Sequence, residues 1–480
     1  MEKIDIQTVK KKSLSGIIAL TSRTFILQVI AFGATFLLTI FLSPSIFGIF
    51  YVVSAIISFL SYFSDIGLAA ALIQKKDTLT DDDLRTTFTI QQLLVIPITV
   101  VAFLAAGHIG IFYRLNSEGV ILLKALIISF FFSSLKTIPS VLLERNLDFN
   151  VLVVPQIAET VAFYLTAVIL SWQGFGIASF TYAVLIRAVV GLVLMYIVSP
   201  WKIRLGISGN VAKRLLKFGV PFQMNSFLAL IKDDLMTVFL GKILPFAEVG
   251  YIGWAKKWAE VPLRLIMDSV IRVTFPTFSR LKQSKELLGK AIGKTLFGLA
   301  ATMIPISVFL LFFVRPAVTL IPKYTKWEPA LLSFSLFVTS ALLAGFSTPL
   351  TNTFNAVGKI SITMMLMVFW TIATWVLTII LIHTIGFNGF AVTLCMLSLT
   401  IIIVVKLAQR YASFSFFRNA GWPCIGGILQ AFWYALTIGK EPYAISRLAL
   451  VGITGVILYV GIIWITGRQR IIEIIHAFYS

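Results

Sequence analysis

Charge is what this sequence has least of. Only 12% of its 480 residues are Asp, Glu, Lys or Arg, about half the share of a soluble globular protein. Acids are scarcest, 20 against 40 Lys and Arg, which leaves a net charge of +20. The apolar fraction is 58% and the mean hydropathy +0.95. A water-soluble globule of this size cannot hide that much apolar surface. A soluble enzyme and a disordered chain are therefore excluded. Two cysteines, Cys395 and Cys424, lie in or beside apolar runs. They could pair in principle, but they make neither a disulfide framework nor a metal cluster, and a secreted disulfide scaffold is excluded too. No GxxxxGK[ST] nucleotide loop is present. In a soluble protein the basic excess would point to nucleic acid. Here it is read as a membrane signal, and no nucleic-acid partner is expected.

What the sequence has instead is long apolar runs. A spanning helix needs about 20 mostly apolar residues. Such runs fall at 16–41, 46–70, 87–107, 120–142, 150–171 and 175–198. After a basic connection they continue at 218–241, 248–275, 293–314, 329–355, 361–382, 388–408, 420–438 and 446–466. They predict an all-α integral membrane protein with about 14 transmembrane helices. The runs are too long for the roughly 10-residue alternating strands of a membrane barrel. The stretch after Lys10, Lys11 and Lys12 runs on to about Phe41. That is too long for a signal-peptide core, so a retained first helix is expected.

Basic residues set the orientation. With the N-terminus inside, the inner segments hold about 23 Lys and Arg and the outer loops about 7. An even number of spans then puts Arg468 and Arg470 inside as well, so both termini are expected in the cytoplasm. By region, the inner face carries about +13, the outer about +3 and the spans about +4. Most of the net charge is thus a topology signal.

A repeat links the halves. A helix from Gly16 is followed by Ser43-Pro44-Ser45-Ile46-Phe47-Gly48, and one from Gly219 by Leu244-Pro245-Phe246-Ala247-Glu248-Val249-Gly250. Gly16 to Gly48 is 32 residues and Gly219 to Gly250 is 31. Six helices per half make both repeats point the same way, related by a pseudo-two-fold axis along the membrane normal. The expected bundles are 1–200 and 201–415, with two additional helices in 416–480.

Several segments together resemble the polysaccharide transporters of the multidrug/oligosaccharidyl-lipid/polysaccharide flippase superfamily. They are Phe47-Gly48-Ile49-Phe50, Ser64-Asp65-Ile66-Gly67-Leu68, Ala71-Leu72-Ile73-Gln74-Lys75-Lys76, Leu143-Glu144-Arg145-Asn146-Leu147-Asp148-Phe149, Val249-Gly250-Tyr251 and Arg272-Val273-Thr274-Phe275-Pro276-Thr277-Phe278-Ser279. The resemblance covers roughly the first 290 residues and rests on the order and spacing of these segments. It implies two six-helix bundles around a central cavity. It also implies flipping of an undecaprenyl-diphosphate-linked oligosaccharide across the bacterial inner membrane, for O-antigen, capsule or exopolysaccharide synthesis. Membrane lipids, a polysaccharide polymerase and chain-length machinery would be its partners. Catalytic residues, a metal and a cofactor are not expected. The drive would be the membrane potential, H+ or Na+.

Ionisable residues inside spans cost about 2.5–3.5 kcal/mol each and usually face a cavity. The bases at membrane depth are Arg23, Lys124, Lys136, Arg187, Lys232, Lys256, Lys257, Arg264, Arg272 and Lys294; the acids are Asp65, Glu159, Asp233, Asp234, Glu260 and Asp268. Lys256, Glu260, Arg264, Asp268 and Arg272 recur every four residues with alternating sign, so they are neighbours on one helix. One reading is a self-neutralising ladder that makes a polar helix tolerable. The other is a cationic stripe, reinforced by Lys257, that holds a diphosphate through charge-assisted bonds. Arg23 either snorkels to the inner interface or joins that site. The diphosphate-binding candidates are thus Arg23, Lys256, Lys257, Arg264 and Arg272. Asp233, Asp234 and Asp268 are candidates for coupling to a cation. Asp65 reads as a cap at the inner end of the second span, and Thr80 to Asp83 as a helix start. Trp201, Trp254, Trp258 and Trp422 read as interface anchors or packing. Two other functions remain open: a multidrug or cation antiporter of the same superfamily, which would want an acidic cavity, and a membrane glycosyltransferase or polymerase, which would want a sizeable catalytic loop.

Overall fold

A computed structural model describes residues 6–75, 77–224, 227–439 and 442–479, with the side chains of 6–22, 224, 228–229, 268–269, 272–273 and 469–479 outside the description. The described residues form helices and connections, without strands. The chain divides into two compact units, Met1–Gly250 and Tyr251–Ser480.

The first unit contains α1 (Ile6–Phe41), α2 (Pro44–Tyr62), α3 (Leu68–Gln74), α4 (Asp81–Tyr113), α5 (Ser117–Leu135), α6 (Thr137–Arg145), α7 (Phe149–Trp172), α8 (Ala178–Val198), α9 (Gly209–Met224) and α10 (Phe227–Ile243). Helix α11 (Phe246–Leu281) starts in it and continues into the second unit. There follow α12 (Lys285–Leu320), a short 3-10 turn (Thr325–Ala330), α13 (Leu331–Ala356), α14 (Ile360–Ile385), α15 (Asn388–Ser398), α16 (Ile401–Ala408), α17 (Phe416–Thr437) and α18 (Ile445–Tyr479).

Among the described residues, eleven helical stretches are long and apolar enough to cross a membrane. The expected spans that fall short of this test are 218–241, 248–275 and 420–438. The first divides between α9 and α10, and α10 carries Lys232, Asp233 and Asp234 in 17 residues. The second is α11, which holds the charge ladder. The third is α17, diluted by Arg418, three glycines, Pro423 and Gln430.

Local chemistry sets the helix ends. Pro44 begins α2 after an extended Ser43, where a missing N–H costs nothing. Thr80 and Asp83 form a reciprocal capping box on α4. Besides 218–241, the expected span 388–408 is broken between α15 and α16, and two spans of the first unit are broken as well. Span 46–70 stops at Tyr62, because Ile66 and Gly67 take left-handed conformations and α3 starts afresh. There Asp65 accepts from the Ala69 N–H at 3.1 Å, so it is a cap as expected. Span 120–142 breaks at Lys136, between α5 and α6.

Within the first unit, α7 packs on α8 and α1, and α5 on α8, α4 and α2. The family-like segments turn out to be joints. Arg145 closes α6 and donates to the carbonyls of Leu72 (2.8 Å), Lys75 (2.6 Å) and Asp77. It thereby satisfies the open C-terminal end of α3. Buried Asp83 receives Lys75 and also Arg214 of α9, which ties α9 to the start of α4. The two repeat motifs meet face to face. A Cβ on Gly48 would clash with the Phe246 carbonyl oxygen and reach its carbon at 2.6 Å. A Cβ on Gly250 would clash in the same way with the carbonyl of Pro44. Both helix starts can approach this closely only because neither position carries a side chain.

In the second unit a core of Leu288, Ile292, Leu296 and Met303 from α12 meets Phe346, Leu350 and Phe354 of α13. Trp254 stacks on buried Trp327 at 5.4 Å and donates to the Tyr324 hydroxyl at 3.1 Å. Trp201 likewise packs edge-on against Phe88. Both cysteines are free.

Candidate functional site

Three membrane-depth charges of the first unit come together. Lys136 stands at the joint of α5 and α6, Glu159 in the middle of α7 and Arg187 in the middle of α8. Lys136 Nζ donates to Glu159 Oε2. Arg187 Nη2 stands 3.8 Å from Glu159 Oε1, which is beyond hydrogen-bond reach. The Glu159 side chain is 12% exposed and that of Arg187 49%. Glu159 is thus held firmly by the lysine and loosely by the arginine.

Packing explains how the pair fits. Gly191 lies one turn beyond Arg187 on α8. A Cβ there would clash with Glu159 Oε2 and come within 2.9 Å of Lys136 Nζ. The missing side chain is the space that the pair occupies. The guanidinium of Arg187 leans on the Phe163 ring at 5.9 Å. Phe163 in turn stacks near Phe50 and Phe180. Tyr196, also on α8, donates its hydroxyl to the carbonyl of Leu135, beside Lys136.

Arg23 adds a third base to this side of the unit. It donates through Nη1 to Gln156 of α7, and Gln156 lies three residues before Glu159 on the same helix face. The buried Arg23 Nε has no acceptor among the described residues, nor has the buried Gln28 Oε1 a donor. Such unmatched buried groups are costly, and a ligand that supplied the partners would remove the cost. Arg23 thus links α1 to α7.

The other candidates are placed as follows. Asp233 is exposed and Asp234 half-buried on α10; α10 packs on α2. In the second unit, Lys256, Lys257 and Glu260 are half-buried on α11 and Arg264 is exposed. Lys256 Nζ lies 5.8 Å from the Phe390 ring. Asp268 and Arg272 have side chains outside the described residues.

Sequence reasoning counted Lys136, Glu159 and Arg187 as membrane-depth charges but did not nominate them. A signal was there. Glu159 and Arg187 sit near the middle of two consecutive predicted spans, and Lys136 lies toward the inner end of the span before them. Neighbouring antiparallel spans bring their middles to one depth, where isolated opposite charges find each other.

Two bases thus meet Glu159, and a third, Arg23, stands one turn away on Gln156. The chain is similar to known proteins in sequence and in fold. The chain is 24% identical over 329 residues to the lipopolysaccharide biosynthesis protein WzxC of Escherichia coli, covering 68% of this chain and 66% of that protein. It is 23% identical over 252 residues to the succinoglycan biosynthesis transport protein ExoT of Rhizobium meliloti, covering 52% of this chain and 50% of that one. The matches thus span only half to just under two thirds of these relatives' length. The fold is similar to that of the lipid II flippase MurJ in an inward closed conformation, with a TM-score of 0.75, 16% identity and coverage of 94% of this chain and 99% of that chain. The model of the polysaccharide biosynthesis protein family matches residues 37–331, more than half of this multi-pass membrane protein, and the chain belongs to that family.

Proposed function

We propose that the chain is a flippase for a polyprenyl-diphosphate-linked oligosaccharide, not an enzyme. It would carry this lipid from the inner to the outer leaflet of the bacterial cytoplasmic membrane, for assembly of O-antigen, capsule or exopolysaccharide. The observation that carries the reading is that Lys136 and Arg187 both stand on Glu159, with Arg23 on Gln156 one turn away. A site that is net cationic at membrane depth suits a diphosphate, and arginine's fork suits it best. An exporter of cationic drugs would need the opposite balance.

In this reading the sugars travel through water and the lipid tail stays in hydrocarbon. The bundles 1–200 and 201–415 rock between inward-open and outward-open states, with 416–480 as two trailing helices and both termini cytoplasmic. Lys256, Lys257, Arg264 and Arg272 of α11 remain candidates for a cationic path in the other bundle. Asp233, Asp234 and Asp268 remain candidates for a coupling cation. The membrane potential also helps: a diphosphate moves about two negative charges outward, each worth roughly 2.3 kcal/mol per 100 mV when the inside is negative. A polymerase and chain-length machinery would take up the product.

The test is transport in proteoliposomes with an imposed potential, using undecaprenyl diphosphate bearing one fluorescent sugar. The wild type flips the probe, and Arg187→Ala and Lys136→Ala slow flipping at least tenfold. Failure of the wild type to flip it, together with uptake of a cationic dye, would favour the multidrug reading instead.

A further inference from the structure

Glu159 is the acid that faces Lys136 and Arg187, and its contacts are uneven. One oxygen accepts from Lys136. The other only approaches Arg187, at 3.8 Å. Arg187 keeps half of its side chain exposed and is propped against the Phe163 ring at 5.9 Å. The exposed part of Arg187 is open to a further partner. The carboxylate of Glu159 occupies a donor of Lys136 that a phosphate oxygen would otherwise use. Gly191 leaves room for that contact.

We propose that Glu159 is the resident counter-anion of this pocket and that a phosphate of the substrate displaces it. With no ligand, Glu159 neutralises Lys136 and lessens the cost of two bases at membrane depth. When a phosphate arrives, it bonds first to the exposed fork of Arg187. It then takes over Lys136, and Glu159 swings off toward the open side of α7. On release the carboxylate returns to Lys136 and expels the phosphate. The acid thus keeps affinity low enough for the ligand to leave, because it competes for the same donors. This inference rests on the flippase reading above. It adds that the rate of release depends on an acid inside the chain.

Glu159→Gln removes the competitor and leaves the bases. The experiment measures binding to the purified full-length chain in nanodiscs, with undecaprenyl diphosphate, inorganic pyrophosphate and uncharged undecaprenol as probes. Flipping of undecaprenyl diphosphate is measured in parallel. Glu159→Gln should bind both phosphates about tenfold more tightly, leave undecaprenol unchanged and slow flipping. Glu159→Asp, shorter by one methylene, should fall between wild type and Glu159→Gln. Arg187→Gln and Lys136→Gln should weaken binding of both phosphates about tenfold. Unchanged or weaker phosphate binding in Glu159→Gln, with weakening in Lys136→Gln, would overturn the proposal and leave the flippase reading standing. An equal gain for undecaprenol would overturn it too, since the gain would then come from lipid packing. So would collapse of the fold in both Glu159 variants, because Lys136 could then never spare its carboxylate. Tighter pyrophosphate binding by Glu159→Gln, with no flipping of lipid diphosphate by the wild type, would keep the exchange and overturn the flippase reading.

Discussion

The two compact units carry their membrane-depth charge in different ways. In the first, single charges on separate helices converge: Lys136 before α6, Glu159 on α7 and Arg187 on α8. In the second, all but Lys294 of α12 are strung along one helix, α11. Its neighbours α13 and α15 carry no Asp, Glu, Lys or Arg, and α14 has only His383 near its end. Buried hydroxyls such as Ser333, Thr353, Thr374 and Thr378 stand there instead. Charges contributed by several helices enclose a volume and define a pocket. Charges along one helix make a stripe whose members can neutralise each other. The first arrangement therefore ties helix packing to the charges, and the second leaves packing largely indifferent to them.

That difference can be tested by unfolding the purified protein. Lys136→Met should cost the most, about 3 kcal/mol, because it strands the mostly buried Glu159 without its firm partner. Thermal unfolding in detergent would register this as a clear fall in midpoint. A midpoint within a degree of wild type would mean that the pocket does not hold its helices together. Gly191→Ala should come next, at about 1–3 kcal/mol, as the added methyl collides with the pair. Combining it with Lys136→Met should give less than the sum of the two, since both act on one contact. Arg264→Met on α11 should change stability least, by less than about 1 kcal/mol, as for other exposed charges. A loss as large as that of Lys136→Met would erase the distinction between pocket and stripe.

The stripe was legible in the sequence because its spacing of four is local. Reading Lys256, Glu260 and Arg264 as one helix face needs nothing but the pitch of a helix. The pocket was legible only in its parts. That Lys136, Glu159 and Arg187 meet depends on α5 and α7 both packing against α8, which no local pattern encodes. Helix class, the long first helix and the Thr80 cap followed from composition and capping chemistry. The breaks at Ile66 and Lys136 did not, because the apolar runs continue through them. Arg145 drew notice only as part of a family-like segment. Its work on the α3 carbonyls depends on a turn that hydropathy does not register.

The contact between the two repeat motifs has a consequence for genetics. Gly48 rests on the carbonyl of Phe246, and Gly250 on the carbonyl of Pro44. Each helix start is seated against the other's main chain, so no side chain on the far side can be trimmed to make room. Suppressors of Gly250→Ala should therefore not arise as smaller residues opposite it. They should arise where α2 or α10 can slide as a whole, for instance at Val52 and Gly241, which also pack against each other. Each copy of the repeat is thus fixed by the backbone of the other, and the two can diverge in side chains only while they keep this shared seat.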